Sequence, residues 1–169
     1  ILEYINDGKT ISECLDEAKT NSERRRWLSL AIRSIAACHR QGLWQPDIHM
    51  KNFLESDNQV YYLDGGDIRA LERPLPSELA SQNLALFFAQ FTVDNDENIE
   101  RLLKEYQLEN KNLHSKDLKG MFSEVKEARA QRISSYERKL LRSTTAHRRV
   151  RSLGKLAVYD REIDSSILG

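Results

Sequence analysis

The stretch His39-Arg40-Gln41-Gly42-Leu43-Trp44-Gln45-Pro46-Asp47-Ile48-His49-Met50-Lys51-Asn52-Phe53-Leu54, followed after a short break by Val60-Tyr61-Tyr62-Leu63-Asp64-Gly65-Gly66, decides how this chain reads. Leu43 to Leu54 is irregular in period, which argues against a continuous helix, while Val60 to Leu63 has the β-branched and aromatic content of a strand. Ser56-Asp57-Asn58 between them is turn chemistry, so Asn52-Phe53-Leu54 and Val60 to Leu63 are expected to pair as a small hairpin. Asn52 then stands at one end of the hairpin and Asp64 at the other, with Asp47 on the loop that leads in.

Upstream, Trp27, Leu28, Leu30, Ala31, Ile35 and Cys38 recur at helical spacing, with Asn21 or Ser22 placed to open the helix and Gly42 to stop it. A shorter helix with Ile11, Cys14, Leu15 and Ala18 inward is expected after a cap at Thr10 or Ser12. Ile1 to Ile5 reads as a short strand entering the turn Asn6-Asp7-Gly8. Downstream, Ser77 is expected to cap a helix with Leu79, Leu84, Leu86, Phe87 and Phe91 on its apolar side. Asn98 to Leu108 and Lys116 to Arg142 have amphipathic helical spacing, and Val158 to Glu162 reads as a strand. The expected fold class is mainly α with a small β-hairpin element. Trp27, Trp44 and the Phe87-Phe88 pair are expected to pack on the core.

A chain of 169 residues, 40% of them hydrophobic, can bury one core without staples, and its two cysteines, Cys14 and Cys38, have no metal-ligand spacing. Lys+Arg and Asp+Glu are both 26, so net charge argues for neither a nucleic-acid nor a membrane partner. The most apolar run, Leu84 to Phe91, is too short to span a bilayer, and the first residues lack the basic start and small-residue cleavage site of a signal peptide. A cytoplasmic location is the expectation.

Asp47, Asn52 and Asp64 make an oxygen-only donor set, of the kind that suits magnesium. Phosphoryl transfer needs a carboxylate to orient and deprotonate the attacking hydroxyl, together with metal ligands that bridge the phosphate oxygens. Asp47 fits the first role; Asn52 and Asp64 fit the second. Any one of the three alone would read as a cap or turn residue, and their order after a capped helix ending His-x-x-Gly carries the reading. His49 is placed to brace the loop backbone, whereas Lys51 either approaches the transferred phosphate or is solvated. His39 reads as structural, near a helix end where a cationic or hydrogen-bonding side chain favours the exposed carbonyls.

The pattern resembles the protein-kinase-like superfamily, and Asp47-Ile48-His49-Met50-Lys51-Asn52 looks more like its small-molecule and sugar kinases than the eukaryotic protein kinases. Leu63-Asp64-Gly65-Gly66-Asp67-Ile68-Arg69 and Arg138-Lys139-Leu140-Leu141-Arg142-Ser143-Thr144-Thr145 resemble the lipopolysaccharide core kinases of Gram-negative bacteria, which act on Kdo or heptose sugars. The resemblance implies a protein-kinase-like C-terminal lobe using ATP and Mg2+, with Asp47, His49 and Lys51 in the catalytic loop and Asn52 and Asp64 on the metal. Leu2-Glu3-Tyr4-Ile5 looks like the hinge, whose backbone groups at Glu3 and Ile5 would bind adenine. The implied organisation is a hinge-like strand and turn at 1–8, the lobe at 9–155, and the start of a following segment or tail at 156–169.

The implied acceptor is a sugar hydroxyl of the lipopolysaccharide inner core, reached from the cytoplasmic face of the inner membrane. A glycine-rich phosphate loop and a strand lysine are expected upstream of the hinge, so the isolated chain is expected to be inactive. Gln45 stands where many relatives have histidine, and Gly65-Gly66 replaces the more usual apolar residue after the metal-binding aspartate. Two other readings stay open: a pseudokinase or binding module, and a small-molecule kinase of the same fold.

From Arg138 to Tyr159 the chain has seven basic residues and no acidic one. This is either a solvated helix end or a contact, through Arg142, Arg148, Arg149 and Arg151, with anionic glycolipid at the inner-membrane surface. Nucleic acid is not expected, because no aromatic residue is interleaved before Tyr159.

Overall fold

In the computed structural model, which describes residues 8–63, 65–91, 96–113, 115–140, 147–152 and 155–160, two reciprocal caps set the first helices. Helix α1, Ile11–Glu17, starts where Thr10 Oγ1 accepts the Glu13 N–H at 3.2 Å and Glu13 Oε2 accepts the Thr10 N–H at 2.8 Å. Helix α2, Asn21–Arg40, repeats the device with Thr20 and Glu23. Thr20 is thus the cap, where Asn21 or Ser22 was expected: in Thr-x-x-Glu two otherwise orphaned N–H groups are satisfied together.

Helix α2 ends in a turn through Gln41, and Gly42 adopts φ 73°, a left-handed conformation. Glycine is required there for a second reason, since a β-carbon at position 42 would lie 2.4 Å from the Glu72 carbonyl oxygen.

Strand β1, Lys9–Thr10, precedes α1, and β2, Leu43–Trp44, follows α2. The expected hairpin is present as β3, Phe53–Ser56, and β4, Gln59–Tyr62, antiparallel with Phe53 opposite Tyr62. Its two-residue turn has positive φ at both Asp57 and Asn58, the backbone that matches the twist of the flanking strands. β1 adds to the β3 edge, giving the order β1-β3-β4, and β2 pairs separately with β5, Arg69–Ala70.

Helix α3 is Ser77–Phe88, α4 is Asp96–Glu109 and α5 is Ser115–Leu140. Pro76, not Ser77, occupies the cap position of α3 and makes no side-chain cap. A last hairpin pairs β6, His147–Ser152, with β7, Lys155–Asp160. The architecture is mainly α with small antiparallel sheets. The chain divides into two compact units, Ile1–Lys126 and Glu127–Gly169. The boundary falls within α5, and the segment start expected at 156 falls inside β7. Of the segment expected at 1–8, only Gly8 lies among the described residues.

The core of the first unit is built by α2, α3 and α4 around Ile32, Ile35, Leu84, Phe87, Phe88 and Leu103, all fully buried. Each such side chain stabilises the fold by about 1.5–3 kcal/mol. Phe53, at the root of the hairpin, meets Phe87 edge-on at 6.0 Å and Tyr62 at 4.9 Å, so the hairpin is seated on α3. Trp27 packs against the core partly buried, with the Arg26 guanidinium over its ring, while Arg69 lies over Trp44 across the β2–β5 pair. Ser29 on α2 and Arg101 and Glu105 on α4 form a part-buried polar contact between those helices. Among the described residues no helix is long and apolar enough to cross a membrane.

Candidate active site

The loop between β2 and β3 coils back on its own aspartate. The Asp47 carbonyl accepts the His49 N–H at 2.9 Å and the Asn52 Nδ2–H at 2.9 Å, which uses both of its lone pairs. Asn52 Nδ2 also donates to Asp47 Oδ2 at 3.0 Å, and the Asn52 N–H is taken by the His49 carbonyl at 2.8 Å. His49 Nδ1 accepts the Lys51 N–H at 3.2 Å and so caps the single 3-10 turn Met50–Asn52. Asp47 and Asn52, five positions apart, are therefore in direct contact, and His49 braces the loop between them. With its amide nitrogen committed to Asp47, Asn52 has its oxygen left to offer, and nothing among the described residues donates to it. Asp47 is exposed and held through one carboxylate oxygen.

The buried side of the loop is tied to α3 by two amides. Asn83 Nδ2 donates to the Gln45 carbonyl at 2.8 Å; Gln90, just beyond the end of α3, donates to the Ile48 carbonyl at 2.9 Å and accepts the Met50 N–H at 3.0 Å. Gln90 donates also to the Phe87 carbonyl at 3.1 Å, so this amide is fully engaged. Asn83 in turn belongs to a chain of neutral groups. Its Oδ1 accepts from His39 Nε2 at 2.9 Å, His39 Nδ1 accepts from the Tyr106 hydroxyl at 2.9 Å, and that hydroxyl accepts from Asn110 Nδ2 at 2.9 Å. Because Asn83 must offer its nitrogen to Gln45, each donor in the chain has one consistent direction.

His39 is 1% exposed, and burial pushes its pKa down to about 4 against the smaller raising effect of Asn83. It is therefore structural as a neutral ring, not as a cation facing the helix carbonyls: desolvation outweighs the helix-end attraction. Burial likewise raises the Tyr106 pKa. Asn83, Gln90, Tyr106 and Asn110 were not singled out from sequence. A signal was present for two of them, since Asn83 and Gln90 are seven residues apart, two helical turns, within an otherwise apolar run.

The remaining expected site residues divide by where they lie. Lys51 is exposed and forms no ion pair among the described residues. The Leu63 N–H donates to the Asn52 carbonyl at 2.8 Å, which brings the end of the β4 segment to Asn52. Asp64 itself, Glu3, Ile5 and Arg142 lie outside the described residues, and for Arg148, Arg149 and Arg151 the backbone alone is described, on β6. Gly65–Asp67 forms a 3-10 turn closed by the Ile68 N–H on the Gly65 carbonyl at 3.2 Å. Gly65 has no left-handed φ, and a β-carbon there would meet nothing nearer than Ile68 Cδ1 at 4.0 Å, so this turn does not require glycine at position 65. Gln45 is buried and anchors the loop by its backbone carbonyl, while its Oε1 has no hydrogen-bond partner among the described residues.

Among the described residues no three His, Cys, Asp or Glu side chains converge to hold a metal ion. The arrangement as it stands is an exposed carboxylate, pinned through one oxygen beside the amide of Asn52, on a loop fixed from its buried side. Such a carboxylate is fitted to accept a proton from a hydroxyl arriving from solvent. Compared with family models, with curated proteins and with solved structures, the chain shows no match.

Proposed function

We propose that the chain carries the C-terminal lobe of a protein-kinase-like phosphotransferase, which transfers the γ-phosphoryl group of ATP to a sugar hydroxyl of the lipopolysaccharide inner core. The observation that carries the reading is the pair of hydrogen bonds that Asn52 Nδ2 donates to the Asp47 carbonyl and carboxylate, at 2.9 and 3.0 Å. It joins a proton-accepting group to an oxygen donor on one rigid turn. Asp47 orients and deprotonates the acceptor hydroxyl, His49 holds the loop around it, and exposed Lys51 faces the incoming phosphate.

The residues fit a magnesium ion: Asn52 has only its oxygen to offer, and a hard oxygen set of Asn52 and Asp64 is what that ion takes. Magnesium, when bound, supplies charge neutralisation on the phosphate oxygens. Glu3 and Ile5 are the proposed adenine contacts. The sugar acceptor rests on the likeness of Leu63 to Arg69 and Arg138 to Thr145 to the core kinases, and the basic residues of the second unit are the proposed contact with the anionic inner-membrane face.

The test pairs two isosteric substitutions in the protein that carries this chain. Asp47→Asn lowers turnover by a factor on the order of 10²–10⁴ with nucleotide affinity nearly constant. Asp64→Asn weakens magnesium-dependent nucleotide binding. Full turnover in Asp47→Asn, or unchanged magnesium dependence in Asp64→Asn, would remove the assignment.

A further inference from the structure

A cavity of about 350 Å³ opens beside the Asp47 loop, within the first unit, between α1, the first turns of α2 and the turn that follows α3. That volume lies at the lower end of the range for small-molecule sites, about 300–1,000 Å³. Met50 and Gln90 form part of its wall. Gln90 is the amide that grips the Ile48 carbonyl and the Met50 N–H, so wall and loop are one rigid piece. Met50 is three residues from Asp47, which keeps their Cα atoms within about 11 Å.

The charge in the cavity is unusual for its place in the fold. Arg24 and Arg25 line it from the start of α2, together with Asn21, and among the described residues Asp16 is the one carboxylate in its lining. Cations near a helix N-terminus are opposed by the helix dipole. Helix α2 gains nothing visible in return from Arg25, which has no hydrogen bond or ion pair among the described residues. Arg24 is steadied through one nitrogen, Nη1, on the Leu15 carbonyl at 2.8 Å, and its other donors remain available. Two guanidinium groups, one steadied and one without a partner among the described residues, in a small-molecule cavity beside a hydroxyl-activating loop make a receptor for a phosphate-like anion, which arginine grips in bidentate fashion.

We propose that this cavity is the acceptor subsite, and that Arg24 and Arg25 hold a phosphate monoester already present on the sugar whose hydroxyl is offered to Asp47. The subsite role rests on the kinase reading; the anion site does not. A phosphate held here fixes the sugar relative to the loop, and a neutral sugar forfeits that hold.

The experiment is a titration of the chain, without nucleotide and at low salt, with glucose 6-phosphate and with glucose, followed by backbone amide shifts. Glucose 6-phosphate is expected to move the amides of Arg24, Arg25 and Met50 and glucose to leave them in place. Arg25→Gln is expected to weaken the phosphorylated sugar at least tenfold, about 1.4 kcal/mol, with Arg25→Lys intermediate. Arg25 is exposed and makes no hydrogen bond or ion pair among the described residues, so its removal is expected to leave the fold intact. Equal binding of the two sugars, or unchanged affinity in Arg25→Gln, overturns the anion site. In the turnover assay, Arg25→Gln is expected to raise KM for a phosphorylated acceptor; an unchanged KM overturns the subsite while leaving phosphoryl transfer itself standing. Full turnover in Asp47→Asn brings down the kinase reading and the subsite role with it, and the binding titration still decides the anion site.

Discussion

Lowering the pH from 7 to 5 should destabilise this fold through one residue that never touches the candidate chemistry. His39 has an ordinary pKa of 6.5 in the unfolded chain and about 4 in the folded one, where burial excludes the charged ring. The folded state binds the proton less readily, so the contribution is fully present above pH 6.5 and is lost as pH falls towards 4. Integrating between those values gives a loss of about 2 kcal/mol from pH 7 to pH 5, and about 3 kcal/mol by pH 4. No discount for solvent screening applies, because the ring is 1% exposed. Glu13 and Glu23 are also shifted, held below the usual carboxylate range by their capping bonds, but they act below about pH 4.5. The assay is urea unfolding at pH 7 and pH 5 for the wild type and His39→Gln. The variant is less stable at pH 7, since it breaks the Tyr106–His39–Asn83 chain, and its stability changes by about 2 kcal/mol less between the two pH values. The same pH slope in both proteins would refute the buried neutral ring, and with it the account of how the loop carbonyl of Gln45 is anchored.

Two further outcomes follow. Gly42→Ala should destabilise the fold by about 2 kcal/mol or more, from a left-handed backbone and the Glu72 carbonyl in the way of a β-carbon, and an unchanged urea midpoint would show that the turn after α2 relaxes freely. Replacing Arg148, Arg149 and Arg151 by Ser should weaken binding to vesicles containing anionic lipid, most at low salt; binding that is unchanged across low and moderate salt makes the segment a solvated face.

What could be read from the sequence was what is encoded locally. The hairpin is announced by Phe53 and Val60 to Tyr62 around Asp57-Asn58, α2 by its apolar period and Gly42, and the Asp47–Asn52 contact by a five-residue spacing that one coiled loop satisfies. The Thr-x-x-Glu pairs at Thr10 and Thr20 were equally legible, and the second was passed over for the neighbouring Asn21 and Ser22. Nothing local marks the supports of the loop. Asn83 and Gln90 meet it across about forty residues of chain, at separations of 38 and 42, and Tyr106 reaches His39 across 67. Such contacts depend on how α2, α3 and α4 pack, which no periodicity reports. Nor does anything mark the division inside α5, where the helix pattern runs through without a break.

The central claim is that Asp47 and Asn52 act as one unit in phosphoryl transfer, and a double-mutant cycle on transfer itself tests it most directly. Phosphate ester formation on a lipopolysaccharide-core sugar, from ATP with magnesium, is measured for the wild type, Asp47→Asn, Asn52→Ala and the double variant of the protein that carries this chain. The account predicts a large loss in each single variant and a double variant little slower than the worse single one, because groups that act together fail together. Transfer at the wild-type rate in all three variants, or losses in the single variants that simply multiply, would contradict it.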